Sequence, residues 1–209
     1  PGFASIDASG RTVTPGLFDA ATSLGLVEVG SVSSSVDTRM SDDVVRSAFA
    51  VTDGINPRSV LIPINRSGGI TTALAAPSGG LISGQASVID LAGATGDDML
   101  VKARAAMLAT YGPGAASSVG GARGAVSLRL REVLDDALWW RDHREDYDLG
   151  RSRELSQSRL DLEALGPVLE REMPLIVRVN RASDISAVID IAESYRLRAV
   201  IAGGAEAWM

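Results

Sequence analysis

Asp19, Ala21 and Ser23 recur at every second position of a short β-prone run, just after the turn signal Pro15-Gly16. Side chains alternate along a strand, so Leu17, Asp19, Ala21 and Ser23 share one face and Phe18, Ala20 and Thr22 the other; one face is free to line a site. The chemistry on offer there is narrow. Asp19 brings a carboxylate able to contact a cation or move a proton. Ala21 brings a methyl group, which ligates nothing, and Ser23 a neutral hydroxyl, which is a poor metal ligand and a weak nucleophile without a base. His143 is the single histidine, set among Arg141, Asp142, Arg144 and Glu145 as a solvated surface residue. Lys102 is the single lysine.

A second group lies near the other end of the chain. Arg178 and Asn180, again two apart, put a permanently charged guanidinium beside an amide, a pair suited to a carboxylate-bearing small molecule. Glu206 follows Gly203-Gly204. With Asp19 it would make a carboxylate-only pair fit for a hard ion such as Mg²⁺ or Ca²⁺, and nothing in the sequence makes the two converge. The run Ser78-Gly79-Gly80-Leu81-Ile82-Ser83-Gly84 carries neither a P-loop nor a dinucleotide-binding glycine pattern, so its glycines read as turn-formers.

These groups sit in a chain of 209 residues, long enough for one α/β domain with a proper core. A formal charge of −6 and a pI near 4.8 argue against nucleic acid as a partner. All of the 20 basic residues except Lys102 are arginine, a bias laid to composition rather than to recognition. With no cysteine, neither disulfides nor thiolate metal sites are available. No run of about 18 apolar residues offers a membrane span, so no membrane partner is expected, and localisation stays open.

Taken in order, residues 3–14 read as strand, turn and strand, 17–23 as a strand, and 27–41 as a Ser/Gly/Val loop. Asp42 and Asp43 are expected to open a short helix through Val44, Val45, Ala48 and Phe49. Asn56-Pro57 starts a helix in which Pro63 should force a kink or a division into two short helical pieces, Gly68-Gly69 ends it, and residues 70–76 form a strand. The glycine-rich run from 78 enters another strand, and residues 105–111 fit strand or helix. Residues 112–125, rich in Gly, Ser and Ala, read as a mobile loop. The apolar stripe of Leu130, Val133, Leu134, Ala137, Leu138 and Trp140 predicts the longest helix, from Ser127 to about Tyr147. After a polar connector at 150–160 comes a helix disturbed at Gly166-Pro167. Residues 174–180, 183–195 and 198–202 then read as strand, helix and strand, a parallel right-handed crossover and the repeating unit of a (β/α) barrel.

The segment Pro15-Gly16-Leu17-Phe18-Asp19-Ala20-Ala21-Thr22-Ser23 resembles the first barrel strand of the amidohydrolase superfamily, in its imidazolonepropionase-like branch, where Pro-Gly-Leu-Ile-Asp-x-His-x-His is usual. Asn56-Pro57, Arg66, Gly69-Ile70-Thr71-Thr72, the Gly79–Leu91 run and Val177-Arg178-Val179-Asn180-Arg181-Ala182-Ser183-Asp184-Ile185 extend the resemblance from Thr12 to Trp208. It implies an α/β fold: part of a (β/α)₈ TIM-type barrel over residues 15–209, interrupted by a β-rich excursion at 78–125, with residues 1–14 as the end of an N-terminal β-sandwich. A full barrel takes about 250 residues, so the chain is expected to be a piece of a longer protein.

The same resemblance implies hydrolysis of non-peptide C–N bonds in a cyclic amide or amino-acid derivative, with zinc or another divalent metal as the family norm. Asp19 matches the family's aspartate and is the catalytic candidate. The two histidine positions are Ala21 and Ser23, and a strand-end histidine falls at Arg178, whose fixed positive charge repels a dication. The expectation is therefore a divergent site with no metal ligands and no cofactor in this chain. Ala21, Ser23, Arg178, Asn180 and Glu206 remain as pocket residues for a small-molecule ligand. The alternative is a catalytically silent relative serving as a ligand-binding or assembly protein. Unpaired barrel edges imply that the remaining half of the barrel, or a second copy, packs against them.

Overall fold

The computed structural model describes residues 5–41 and 43–209. Phe3 and Asp42, which enter two of the expectations above, lie outside them. The unit clearest in sequence is also the most regular in space: β5 (Leu175–Val179), α8 (Ala182–Ser194) and β6 (Ala199–Gly203), with β5 and β6 parallel from Leu175 opposite Ala199 to Val179 opposite Gly203. Alternation along β5 buries Leu175, Val177 and Val179, and α8 turns Ile185, Val188 and Ile191 inward at helical spacing.

Ahead of this unit run β1 (Leu17–Thr22), α1 (Leu61–Ser67), β2 (Ile70–Ala75), β3 (Ile82–Asp90), α2 (Gly96–Met99) and β4 (Leu100–Thr110). Helices α3 (Pro113–Ser118), α4 (Arg123–Asp142), α5 (Arg144–Asp148), α6 (Arg159–Ala164) and α7 (Gly166–Leu169) link β4 to β5. The six strands form one sheet in sequence order. The pairs β1–β2, β4–β5 and β5–β6 are parallel, whereas β3 is antiparallel to both neighbours, so it alone runs against the rest. Helices α4, α6, α7 and α8 cover one face over a core that includes Met107, Leu134, Trp140, Leu162, Leu165 and Val177. A second core gathers Leu26, Ile62, Ala73 and Ile89, and a third joins Leu74, Ala86, Ala106 and Leu108.

The sheet is curled like part of a barrel. The guanidinium Nη1 of Arg178, on β5, donates to the carbonyl of Pro77, just past β2, at 3.4 Å. In a flat sheet three strand spacings of about 4.8 Å each would separate those strands, more than one arginine side chain spans.

Several local expectations give way to tertiary partners. Residues 44–50 are not helical. The Asp43 carboxylate accepts from the amides of Val44 (2.6 Å) and Val45 (3.2 Å), and the backbone then bonds to β3 and the residue just before it: Leu81 N to Val44 O (2.8 Å), Arg46 N to Ile82 O (3.0 Å) and Gln85 N to Phe49 O (2.7 Å). Groups spent on that neighbour cannot close helical turns. Helix α1 starts only at Leu61, which puts Pro63 in its first turn, where no intrahelical N–H partner is needed, so no kink follows. The 112–125 stretch is ordered instead of loop: Pro113 opens α3, and Ala115 and Ala116 are buried against α4. His143 breaks the long helix into α4 and α5. Between residues 6 and 13 only the turn forms, with Asp7 accepting from the amide (2.9 Å) and hydroxyl (2.6 Å) of Ser9. Ile6 and Val13 stay exposed, with no paired strand on either side.

Candidate functional site

β1 is an edge strand, and this governs its chemistry. Asp19 is half-buried, registered with Ala73 of β2, and accepts from the amide of Ala21 at 3.3 Å. The β1–β2 register slips between Leu17 and Phe18 and again between Asp19 and Thr22, so strict alternation along β1 is interrupted within the stretch that was to present Asp19, Ala21 and Ser23 together. Ala21 and Ser23 are exposed. Ser23 lies one residue beyond the strand, and its carbonyl accepts from the amides of Leu26 (2.9 Å) and Val27 (3.2 Å) to start a turn; its hydroxyl makes no hydrogen bond among the described residues.

At the other edge, Asn180 and Glu206 are brought together. The amide of Glu206 donates to the Asn180 carbonyl (2.9 Å), the amide of Ala205 donates to Asn180 Oδ1 (3.4 Å), and Gly204 N donates to Val179 O (2.7 Å). Gly203 holds φ +94°, and a Cβ there would lie 2.5 Å from Asn180 Oδ1, so glycine lets the β6 turn close on β5. Glu206 Oε2 in turn accepts from the amide of Ala182 at 2.8 Å, a helix-start donor with no partner inside α8. The carboxylate thereby complements the positive end of that helix.

Arg178 stands apart from this knot. It is half-buried on β5, opposite Thr110 of β4 and Ala202 of β6, with its guanidinium directed across the curl to Pro77. One weak bond to a carbonyl leaves most of its five N–H donors without a protein acceptor among the described residues.

Asp19 and Glu206 lie on or just beyond opposite edge strands, with Glu206 committed to α8. Among the described residues no group of three or more His, Cys, Asp or Glu side chains comes together as a metal site. Ala21, Ser23 and Arg178 bring a methyl, an exposed hydroxyl and a guanidinium, none of which is a good ligand for a divalent cation.

His143 is at the surface. Its ring stacks on Trp139 at 4.6 Å, and Nδ1 bonds the Trp139 carbonyl at 2.8 Å, closing the end of α4. Sequence reasoning passed over two buried carboxylates. Asp184, in the first turn of α8, pairs with Arg123 Nε (3.1 Å), and Asp136, on the buried face of α4, takes the Ser156 amide (2.6 Å) and Arg153. An acid inside an apolar helical stripe was the available signal for Asp136.

No protein-family model matches the chain, and no curated protein matches it. Among solved structures it is similar to an amidohydrolase from Thermotoga maritima MSB8, with a TM-score of 0.78 and 22% identity, over 96% of this chain and 56% of that one. At that identity the likeness is one of fold, and the chain spans little more than half the length of its neighbour.

Proposed function

We propose that the chain is a divergent amidohydrolase of the imidazolonepropionase-like branch, hydrolysing non-peptide C–N bonds in a cyclic amide or amino-acid derivative without the usual metal ligands. The observation that carries this reading is the amidohydrolase-like fold over 96% of the chain. Asp19 on the first strand is the proton-transfer candidate, and Arg178 the group that would orient a substrate carboxylate. The family's β-sandwich at residues 1–14 and its (β/α)₈ closure belong to the same proposal.

A second reading, a catalytically silent ligand-binding relative, is favoured by the same arginine. A guanidinium aimed across the curl can hold a carboxylate whether or not turnover follows. Metal analysis with hydrolysis assays on cyclic imides and N-acyl amino acids separates the two. Turnover that survives chelation and drops at least tenfold in Asp19→Asn supports the hydrolase. Thermal stabilisation by these compounds with no turnover supports the silent binder, and stoichiometric zinc or manganese in the purified protein would refute the metal-free site. In either case Arg178→Ala is expected to abolish stabilisation by N-acyl amino acids; equal shifts in variant and wild type would remove Arg178 from the site.

A further inference from the structure

We infer a second small-molecule site, for an aliphatic α-amino acid, in the cleft between the β4 bulge and helices α6 and α7. Its volume is about 440 Å³, within the range of small-ligand sites at roughly 300–1,000 Å³. One wall is built by an irregularity in the sheet. Ala86 of β3 pairs with Ala106 of β4, and Val88 pairs with Lys102. Only Ser87 lies between the β3 partners, whereas Ala103, Arg104 and Ala105 lie between those on β4, so two extra residues bulge outward. Arg104 sits at the centre of this bulge with φ +48°, a left-handed conformation that a non-glycine residue adopts at a cost. It is exposed, lines the cleft, and makes no hydrogen bond or ion pair among the described residues. Strain that aims a cation without giving it a protein partner is a reason to look for a ligand anion.

The rest of the lining supplies the complement. Glu163 of α6 faces the same cleft, its only described partner being Arg159 at 3.3 Å on the half-exposed helix surface. Gln85 is 3% exposed; its Nε2 donates to the Ser47 carbonyl at 2.7 Å, which fixes the amide, and its Oε1 accepts no bond among the described residues. Arg104 thus matches a carboxylate, Glu163 and Gln85 Oε1 match an ammonium, and Leu160, Pro167 and Met173 offer an apolar wall for an aliphatic side chain. The Ala48 amide bonds Asp161 Oδ1 at 3.0 Å, tying the 44–50 segment to α6 across the cleft. This site uses none of the residues proposed for hydrolysis and does not depend on that reading.

Calorimetric titration of the protein with L-leucine tests it. Saturable binding is expected, with isocaproate and isoamylamine, which each lack one charged group, at least tenfold weaker. Arg104→Gly should relieve the strained backbone, keep or raise thermal stability, and weaken leucine at least tenfold; Glu163→Gln should weaken it comparably, and Arg178→Ala should leave it unchanged. Absence of saturable leucine binding overturns the proposal, as does undiminished binding to folded Arg104→Gly, isocaproate binding as tightly as leucine, or loss of binding in Arg178→Ala.

Discussion

At the scale of single residues, the described structure places its deepest charge away from the candidate site. Asp136 is 2% exposed on α4, and burial alone would raise its carboxyl; the Ser156 amide and the Arg153 guanidinium outweigh that and hold it below the ordinary carboxylate range. The contact fastens the polar connector ahead of α6 to the helical core. Asp136→Asn keeps the shape but loses the ion pair, and is expected to cost about 2 kcal/mol in denaturant unfolding. Because the folded-state value lies below that of the unfolded chain, the stabilisation is present above about pH 4 and lost as the pH falls through the depressed folded value. The variant should therefore show a flatter acid limb in its stability profile; an unchanged limb would mean that other carboxylates govern acid unfolding.

Elements are positioned by close approaches that only particular residues allow. Gly84 in β3 holds φ +120°, and a Cβ there would lie 2.4 Å from the Phe49 carbonyl, the atom that accepts the Gln85 amide. Gly84→Ala is expected to destabilise by about 2–3 kcal/mol and to raise amide exchange at Gln85, since the segment that should have been a helix is held against β3 through this point. Helix α8 is tied to α4 by the Tyr195 hydroxyl, whose single proton goes to Asp135 Oδ1 at 2.7 Å, with the Arg131 carbonyl oxygen 3.3 Å away. Burial and the Asp135 carboxylate push the phenol up to about 12. That is above the value near 10 of the unfolded chain, so its contribution is complete below pH 10 and disappears as the pH rises through about 12. Tyr195→Phe should cost about 1 kcal/mol at neutral pH and remove the late-titrating phenolate from an absorbance titration; a wild-type phenol that titrates near 10 would refute the packed geometry.

For the whole molecule the two free strands of the sheet matter most. On β1, Leu17 and Phe18 are more than half exposed, and on β6 Val200 is 47% exposed. Edge strands with apolar side chains and unpaired backbone groups recruit further strands. The expectation is that additional polypeptide, the rest of a barrel or a second copy, covers these edges, and that this chain alone associates in solution scattering. A monodisperse monomer across the micromolar range would count against it. No described helix is long and apolar enough to cross a membrane.

Local punctuation and periodicity were sufficient for several elements: the β5–α8–β6 crossover, the β2 strand after Gly68-Gly69, the apolar face of α4 and the break at Gly166-Pro167 follow from residue types that permit few backbones. The amidohydrolase-like fold was legible by resemblance, through the motifs at residues 15–23, 69–72, 79–91 and 177–185. Tertiary structure decided the rest. Residues 44–50 gave their hydrogen bonds to β3, Ala115 and Ala116 found a core that made a helix of a small-residue loop, and slips of register in β1 interrupted the alternation meant to align Asp19, Ala21 and Ser23. Side chains far apart in the chain met only through the curl, as Arg178 does with Pro77, or bound the sheet ends, as Glu206 does with α8. Periodicity reports which face a residue prefers; which distant group will satisfy its polar atoms is fixed only when the whole sheet closes, because backbone and side-chain donors go to whichever partner the assembled fold brings within reach.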